Sequence, residues 1–192
     1  MSRIRLYFQL ATEVVGVDHE GLLILADSFQ ERQIVIPCNE SVLDEFKERL
    51  NSHQQQSRVS DVLFRVIKWQ TDLSLELVIM NVVNGNYSVI LNNTDSLEQV
   101  PINGAQAVLL NFISKDKIPV YIDEGLFLKQ SSPFDLRASG VPLPINTLPS
   151  SMLRQALTKA INSENYELAS QLRDELSRRR RTGDSSSKEL DS

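Results

Sequence analysis

Apolar and polar residues alternate near the start of the chain, where Ile4, Leu6, Phe8 and Leu10 are interleaved with Arg5, Tyr7 and Gln9. That period of two predicts a strand with one face on a core. Two short apolar runs, Leu22 to Leu25 and Gln33 to Ile36, flank the polar stretch Asp27 to Arg32 and predict a hairpin. From Ser41 the period lengthens: Val42, Leu43, Phe46 and Leu50 fall on one helical face, and Ser41 with Asp44 three residues on resembles a capping box, so a helix is expected to end near Asn51. A second helical stripe follows at Val59, Val62, Leu63, Val66 and Ile67, with Asp61, Arg65 and Lys68 mostly off it.

The clearest local signal is Asn84-Gly85-Asn86 between the β-branched runs Leu75 to Val83 and Tyr87 to Leu91. Asn-Gly supplies the positive φ angles of a tight turn, so these runs pair as a hairpin. A further strand is expected at Leu97 to Ile102. Asn103-Gly104 then caps a helix whose run from Ala105 to Ile113 is apolar on nearly every side, as in a buried helix. Ile118 to Ile122 reads as a strand whose early proline, Pro119, favours an edge position or the strand's beginning. Strand pairs interrupted by helices predict an α+β domain with a mixed, largely antiparallel sheet and packed helices.

The pattern changes again toward the C-terminus. Three prolines between Ala138 and Ser151 exclude regular helix and interior strand, which marks a linker or strap. Beyond it Leu153, Leu157, Ala160 and Ile161 form one helical stripe and Leu168, Ala169, Leu172 and Leu176 another, with the Glu164-Asn165 break between them and Asn165 placed to cap the second helix. The expected organisation is an α+β domain over 1–135, a Pro-rich linker over 136–151, a helical hairpin over 152–181 and a disordered tail over 182–192.

Composition narrows the chemistry. The chain has 192 residues, a formal charge of −5 and 23% charged residues, in keeping with one ordinary domain and an appendage. From Pro149 onward eight basic residues face seven acidic ones, leaving twelve basic against eighteen acidic before it, so the main domain offers no general attraction for nucleic acid. One cysteine, Cys38, forms no internal disulfide and is expected to pack in the core. The two histidines, His19 and His53, provide no zinc-ligand spacing, so no metal site is assigned. No apolar run is long enough to span a bilayer, and the alternating N-terminus lacks a signal-peptide core, which points to a cytoplasmic protein. Arg178 to Arg181 is expected to be a solvated cation run favouring a helix C-terminus, and Asp123-Glu124 ordinary turn acids. Trp69 and Tyr121 stand alone, without the basic-aromatic interleaving of a single-strand-binding surface.

Two resemblances add to this picture. The Leu23-to-Pro37 hairpin with the Ser41 helix, the run Leu77 to Tyr87, and the run Asn103 to Tyr121 together resemble the bifunctional nuclease domain family over roughly residues 4 to 130. The resemblance implies an α+β fold and a nuclease, which would call on Mg2+ or Mn2+. Two family positions differ here. The family's Thr-His-Asp falls on Val59-Ser60-Asp61, keeping Asp61 as the candidate catalytic carboxylate, and its Pro-Ser-Asp-Ala falls on Gly104-Ala105-Gln106-Ala107. Glutamine is no general base and a weak metal ligand, so the resemblance implies an interaction or regulatory module on a degenerate nuclease-like domain, with metal-assisted phosphodiester hydrolysis as the alternative.

The second resemblance covers Met152 to Leu176, with Asn165-Tyr166-Glu167-Leu168-Ala169 and Leu172-Arg173-Asp174-Glu175-Leu176 as its most specific phrases. It is similar to the UVR motif at the C-terminus of the excision-repair protein UvrB and in UvrC, where the motif mediates protein association. A hairpin of this size has too little core to stand alone. The resemblance therefore implies a partner, either a second copy of this chain in a homo-oligomer or a UVR-containing protein. Leu153, Leu157, Ile161, Tyr166, Leu168, Leu172 and Leu176 are the expected partner-binding residues.

Overall fold

The computed structural model describes residues 2–14, 20–51, 58–135 and 144–186. His19, His53, much of the expected linker and the end of the tail lie outside the described residues. Strands β1 (Arg3–Glu13), β2 (Glu20–Ala26) and β3 (Arg32–Asn39) open the chain, followed by helices α1 (Glu40–Asn51) and α2 (Val59–Gln70). Next come β4 (Leu75–Val83), β5 (Asn86–Asn93), β6 (Gln99–Asn103), α3 (Gly104–Ile113), β7 (Val120–Asp123), α4 (Glu124–Gln130) and the two-residue β8 (Ser132–Pro133). A 3-10 turn at Ile145–Thr147 leads into α5 (Ser150–Asn162) and α6 (Tyr166–Ser186).

The eight strands form one sheet in the order β6-β5-β4-β7-β1-β2-β3-β8. All neighbours are antiparallel except β4 and β7, which run parallel with Leu77 opposite Val120 and Ile79 opposite Ile122. The fold is thus the expected mixed, largely antiparallel α+β type with a C-terminal helix pair. β7 is a central strand, so Pro119 marks its beginning and not a sheet edge. Pro119 lies just before the first strand residue, and its carbonyl still accepts a hydrogen bond from the Leu77 amide at 2.8 Å.

One face of the sheet carries the main core. Leu23, Leu25, Ile34, Ile36, Leu77 and Ile79 are buried together with Val42, Leu43 and Phe46 of α1 and Ala105 and Val108 of α3. Phe8, Phe46 and Phe112 close this core as an aromatic triad with centroid distances of 5.0, 5.4 and 5.3 Å. α3 approaches β5 closely at Gly104, where an added Cβ would lie 2.8 Å from Cβ of Tyr87. A smaller cluster of Leu22, Ile24 and Val35 lies outside that core, covered by Leu10, Val14 and Phe134.

Local chemistry sets the helix boundaries. Asn39, not the expected Ser41, caps α1: its Oδ1 accepts from the Val42 amide at 3.1 Å, so the helix starts at Glu40. Asn103 caps α3 by accepting from the Ala105 amide at 2.9 Å, as its position predicted. Asp123 caps α4, accepting from the Leu126 amide at 3.1 Å, which gives this acid a structural role. α6 continues through Ser186, past the residue where the tail was expected to begin.

Candidate functional site

The C-terminal hairpin is built from two facing stripes and a third wall. Leu153, Ala160, Ala169 and Leu172 are buried together, with Leu157 and Leu176 packed against them. Ile145 and Leu148 of the Pro-rich strap complete the cluster. The segment read as a linker therefore supplies the core area that a two-helix hairpin lacks on its own. Between the helices Glu164 adopts the left-handed region at φ 56°, and Asn165 Oδ1 accepts from the Leu168 amide at 3.2 Å.

Arg179 locks this assembly. Its side chain is 6% exposed and ion-paired with Glu175 at 2.7 Å. The same guanidinium donates to the carbonyls of Leu148 at 2.7 Å and Asn146 at 3.0 Å, tying α6 to the strap. Arg179 also lies against the Gly85 turn, where an added Cβ would meet the Leu148 carbonyl oxygen at 3.0 Å and Arg179 Nη1 at 3.2 Å. Ser151 makes a second tie to the main domain by donating to Glu20 Oε1 at 2.8 Å. The expectation that this arginine belongs to a solvated run fails for a physical reason. α6 does not end there, and strap carbonyls without strand or helix partners need a donor.

The seven side chains expected to bind a partner separate into two groups. Leu153, Leu157, Leu172 and Leu176 face the hairpin's own core, whereas Ile161 (52% exposed), Tyr166 (69%) and Leu168 (37%) are open at its turn end. Glu164 and Glu167 stand exposed beside them.

At the root of the hairpin lies a cavity of about 380 Å3 lined by Glu20, Asn39, Asn86, Asn103, Gln106 and Pro149 among others. The first turns of α1 and α3 reach it, and the strap's Pro149 forms part of its wall. Cys38 also lines it; burial pushes the thiol up to about 12, which keeps it protonated and unreactive at neutral pH. One carboxylate among amides does not fit a hard divalent cation, which takes several carboxylate oxygens. Among the described residues no group of three or more His, Cys, Asp or Glu side chains is placed to hold a metal ion.

Asp61 lies elsewhere, in a separate cavity beside α2 and α3. Both its oxygens accept from Arg49, at 2.9 and 3.0 Å, and Arg49 also bonds Glu45 of its own helix at 2.7 Å. These hydrogen bonds and the Arg49 charge hold the Asp61 carboxyl below its ordinary range despite partial burial. Asp61 thus fastens α2 to α1, and it lines a different cavity from Gln106. The stripe Val59, Val62, Leu63, Val66 and Ile67 lies exposed on α2, which buries none of its residues.

A family model described as the UvrB/uvrC motif matches residues 152–180, the two helices of the hairpin. No curated protein matches the chain. Among the described residues no helix is long and apolar enough to cross a membrane.

Proposed function

We propose that this chain is a protein-interaction or regulatory module, with the UVR-like hairpin as its docking element and a degenerate nuclease-like domain as its body. The partner is a second hairpin of the same kind, carried by another copy of this chain or by a UVR-containing protein. One observation carries the proposal: the hairpin and strap satisfy their own core, yet Ile161, Tyr166 and Leu168 remain open together at the turn. Exposed apolar side chains gathered at one end of a motif are what an interface needs. Ser151 bonds Glu20 of the sheet and Arg179 lies against the Gly85 turn, so a partner bound at the turn acts on an element that touches the body beside the cavity containing Gln106.

Light scattering on the purified chain, together with binding to a UVR-bearing partner, tests the proposal. Self-association or partner binding is expected, and Ile161→Asp with Leu168→Asp should abolish it while leaving the circular dichroism spectrum unchanged. A chain that is monomeric at every concentration and binds no UVR-bearing protein refutes it. Robust cleavage of DNA or RNA with Mg2+ or Mn2+ that survives further purification would replace it with the nuclease alternative.

A further inference from the structure

Several basic side chains of the main domain are matched to acids. Arg3 pairs with Glu76, Arg5 with Asp116, Lys47 with Glu13 and Arg49 with Asp61. Four other cations gather in one place. Lys68 of α2 and Lys115 and Lys117 of the turn after α3 line a cavity of about 260 Å3 together with Arg65. An adjoining cavity of about 290 Å3 shares Phe64, Lys68 and Lys117 with it.

Two acids beside this cluster are committed elsewhere, while a third, Asp72, lines the adjoining cavity. Asp116, between the two turn lysines, accepts from Arg5 at 2.7 Å and from Asn111 at 2.9 Å. Asp61, the acid lining the cavity, is held by Arg49. Lys115 and Asp116 both occupy the left-handed region, at φ 53° and 60°, and this turn sends the acid to one side and the lysines to the other. Lys68 beside Lys117, with Lys115 near by, holds the Lys117 ammonium below its ordinary value. An anion seated among the three would relieve that repulsion.

Trp69, the one tryptophan of the chain, is 74% exposed on the wall of the same cavity, and Phe64 lines it too. Large exposed indole beside concentrated positive charge suits a ligand that has both an aromatic ring and phosphate. In sequence Trp69 looks solitary because its turn lysines lie more than forty positions downstream.

We propose that the cleft between α2 and the turn after α3 binds a nucleoside phosphate, with its phosphates on Lys68, Lys115 and Lys117 and its base stacked on Trp69. The site is separate from the hairpin, and its test does not depend on the proposed docking function.

Trp69 makes the test direct, because all indole fluorescence of the full chain comes from this position. ADP titration should give a saturable fluorescence change, and adenosine should bind at least about tenfold more weakly. Lys115→Glu with Lys117→Glu, both on exposed side chains, should weaken ADP at least about tenfold without moving the melting temperature. By calorimetry, Trp69→Ala should weaken ADP at least about fivefold and leave pyrophosphate unaffected, as loss of base stacking requires. Absence of binding in both fluorescence and calorimetry at millimolar ADP overturns the proposal, as does a response indifferent to the lysine changes. Pyrophosphate binding as tightly as ADP reduces the cleft to a simple anion site and refutes the nucleotide assignment. A short oligothymidylate binding more tightly per site than ADP replaces it with a strand-binding surface.

Discussion

Replacing Arg179 with alanine should release the C-terminal hairpin from its strap without unfolding the sheet. The magnitude follows from what the side chain leaves behind. Glu175 keeps its two hydrogen bonds from Arg178, at 2.7 and 2.8 Å, so its charge is not stranded and the full ~3–5 kcal/mol cost of breaking a buried pair does not apply. The carbonyls of Leu148 and Asn146 lose their charged donor, at about 1.5 kcal/mol or more each. About 3 kcal/mol is therefore at stake, a little over a hundredfold in the equilibrium between docked and open hairpin. Native-state hydrogen exchange reads this locally. Amides of α5 and of the strap, including Leu153, which bonds the Pro149 carbonyl at 3.0 Å, should exchange about a hundredfold faster. Amides paired between β2 and β3 should keep the parent rate. Arg179→Lys should recover only part of the loss, since one ammonium cannot span two carbonyls and a carboxylate as the planar fork does. Unchanged exchange in the hairpin, or equal acceleration in β2 and β3, would refute the locking role.

Two further perturbations test the core and the charged contacts. Phe46→Ala removes the fully buried ring that stacks on Phe8 and meets Phe112, and should cost about 3–5 kcal/mol in urea unfolding, with a smaller loss for Phe46→Leu. Acid should weaken two tethers together. Arg49 holds Asp61 below its ordinary value; burial alone would raise Glu175, but Arg178 and Arg179 outweigh it and also leave that carboxyl lowered. A lowered native pKa means stabilisation that is complete above the unfolded value and lost as pH falls through the native one, here below about 4. Urea unfolding at descending pH should show this loss, and Asp61→Asn should be less stable at neutral pH with a flatter acid limb.

Several elements were legible in the sequence because their signals are local. Asn84-Gly85 dictates its hairpin through the positive φ that only such residues adopt cheaply, with φ 52° and 86° here. Asn103 and Asn165 cap helices through bonds to amides two or three residues away. The four-residue spacing of Leu153 and Leu157, and of Leu172 and Leu176, likewise reveals the two helical stripes of a hairpin. What remained hidden depends on distant partners. Pro119 permits either an edge or a strand beginning, and only the pairing of β7 with β1 and β4 decides between them. α4 is seven residues long and too short for its period to stand out. The stripe on α2 correctly indicates an amphipathic helix, yet periodicity does not say which face finds a partner, and the apolar one is left in solvent. Arg179 resembles its neighbours in the arginine run until the strap carbonyls are seen. Trp69 and the turn lysines become neighbours only when α2 packs beside α3.

The sheet order has a consequence for synthesis. β1, β2 and β3 form one antiparallel set and β4, β5 and β6 another, each joined by sequence-local pairings that can assemble as the chain emerges. Backbone pairing joins the two sets only through β7, whose four residues sit between β1 and β4 and are made after both. Until then the inner borders of both sets expose unpaired backbone next to apolar side chains such as Leu6, Leu77 and Ile79. The nascent chain is therefore most vulnerable to strand addition by a neighbour not at the borders of the finished sheet, but along its future midline.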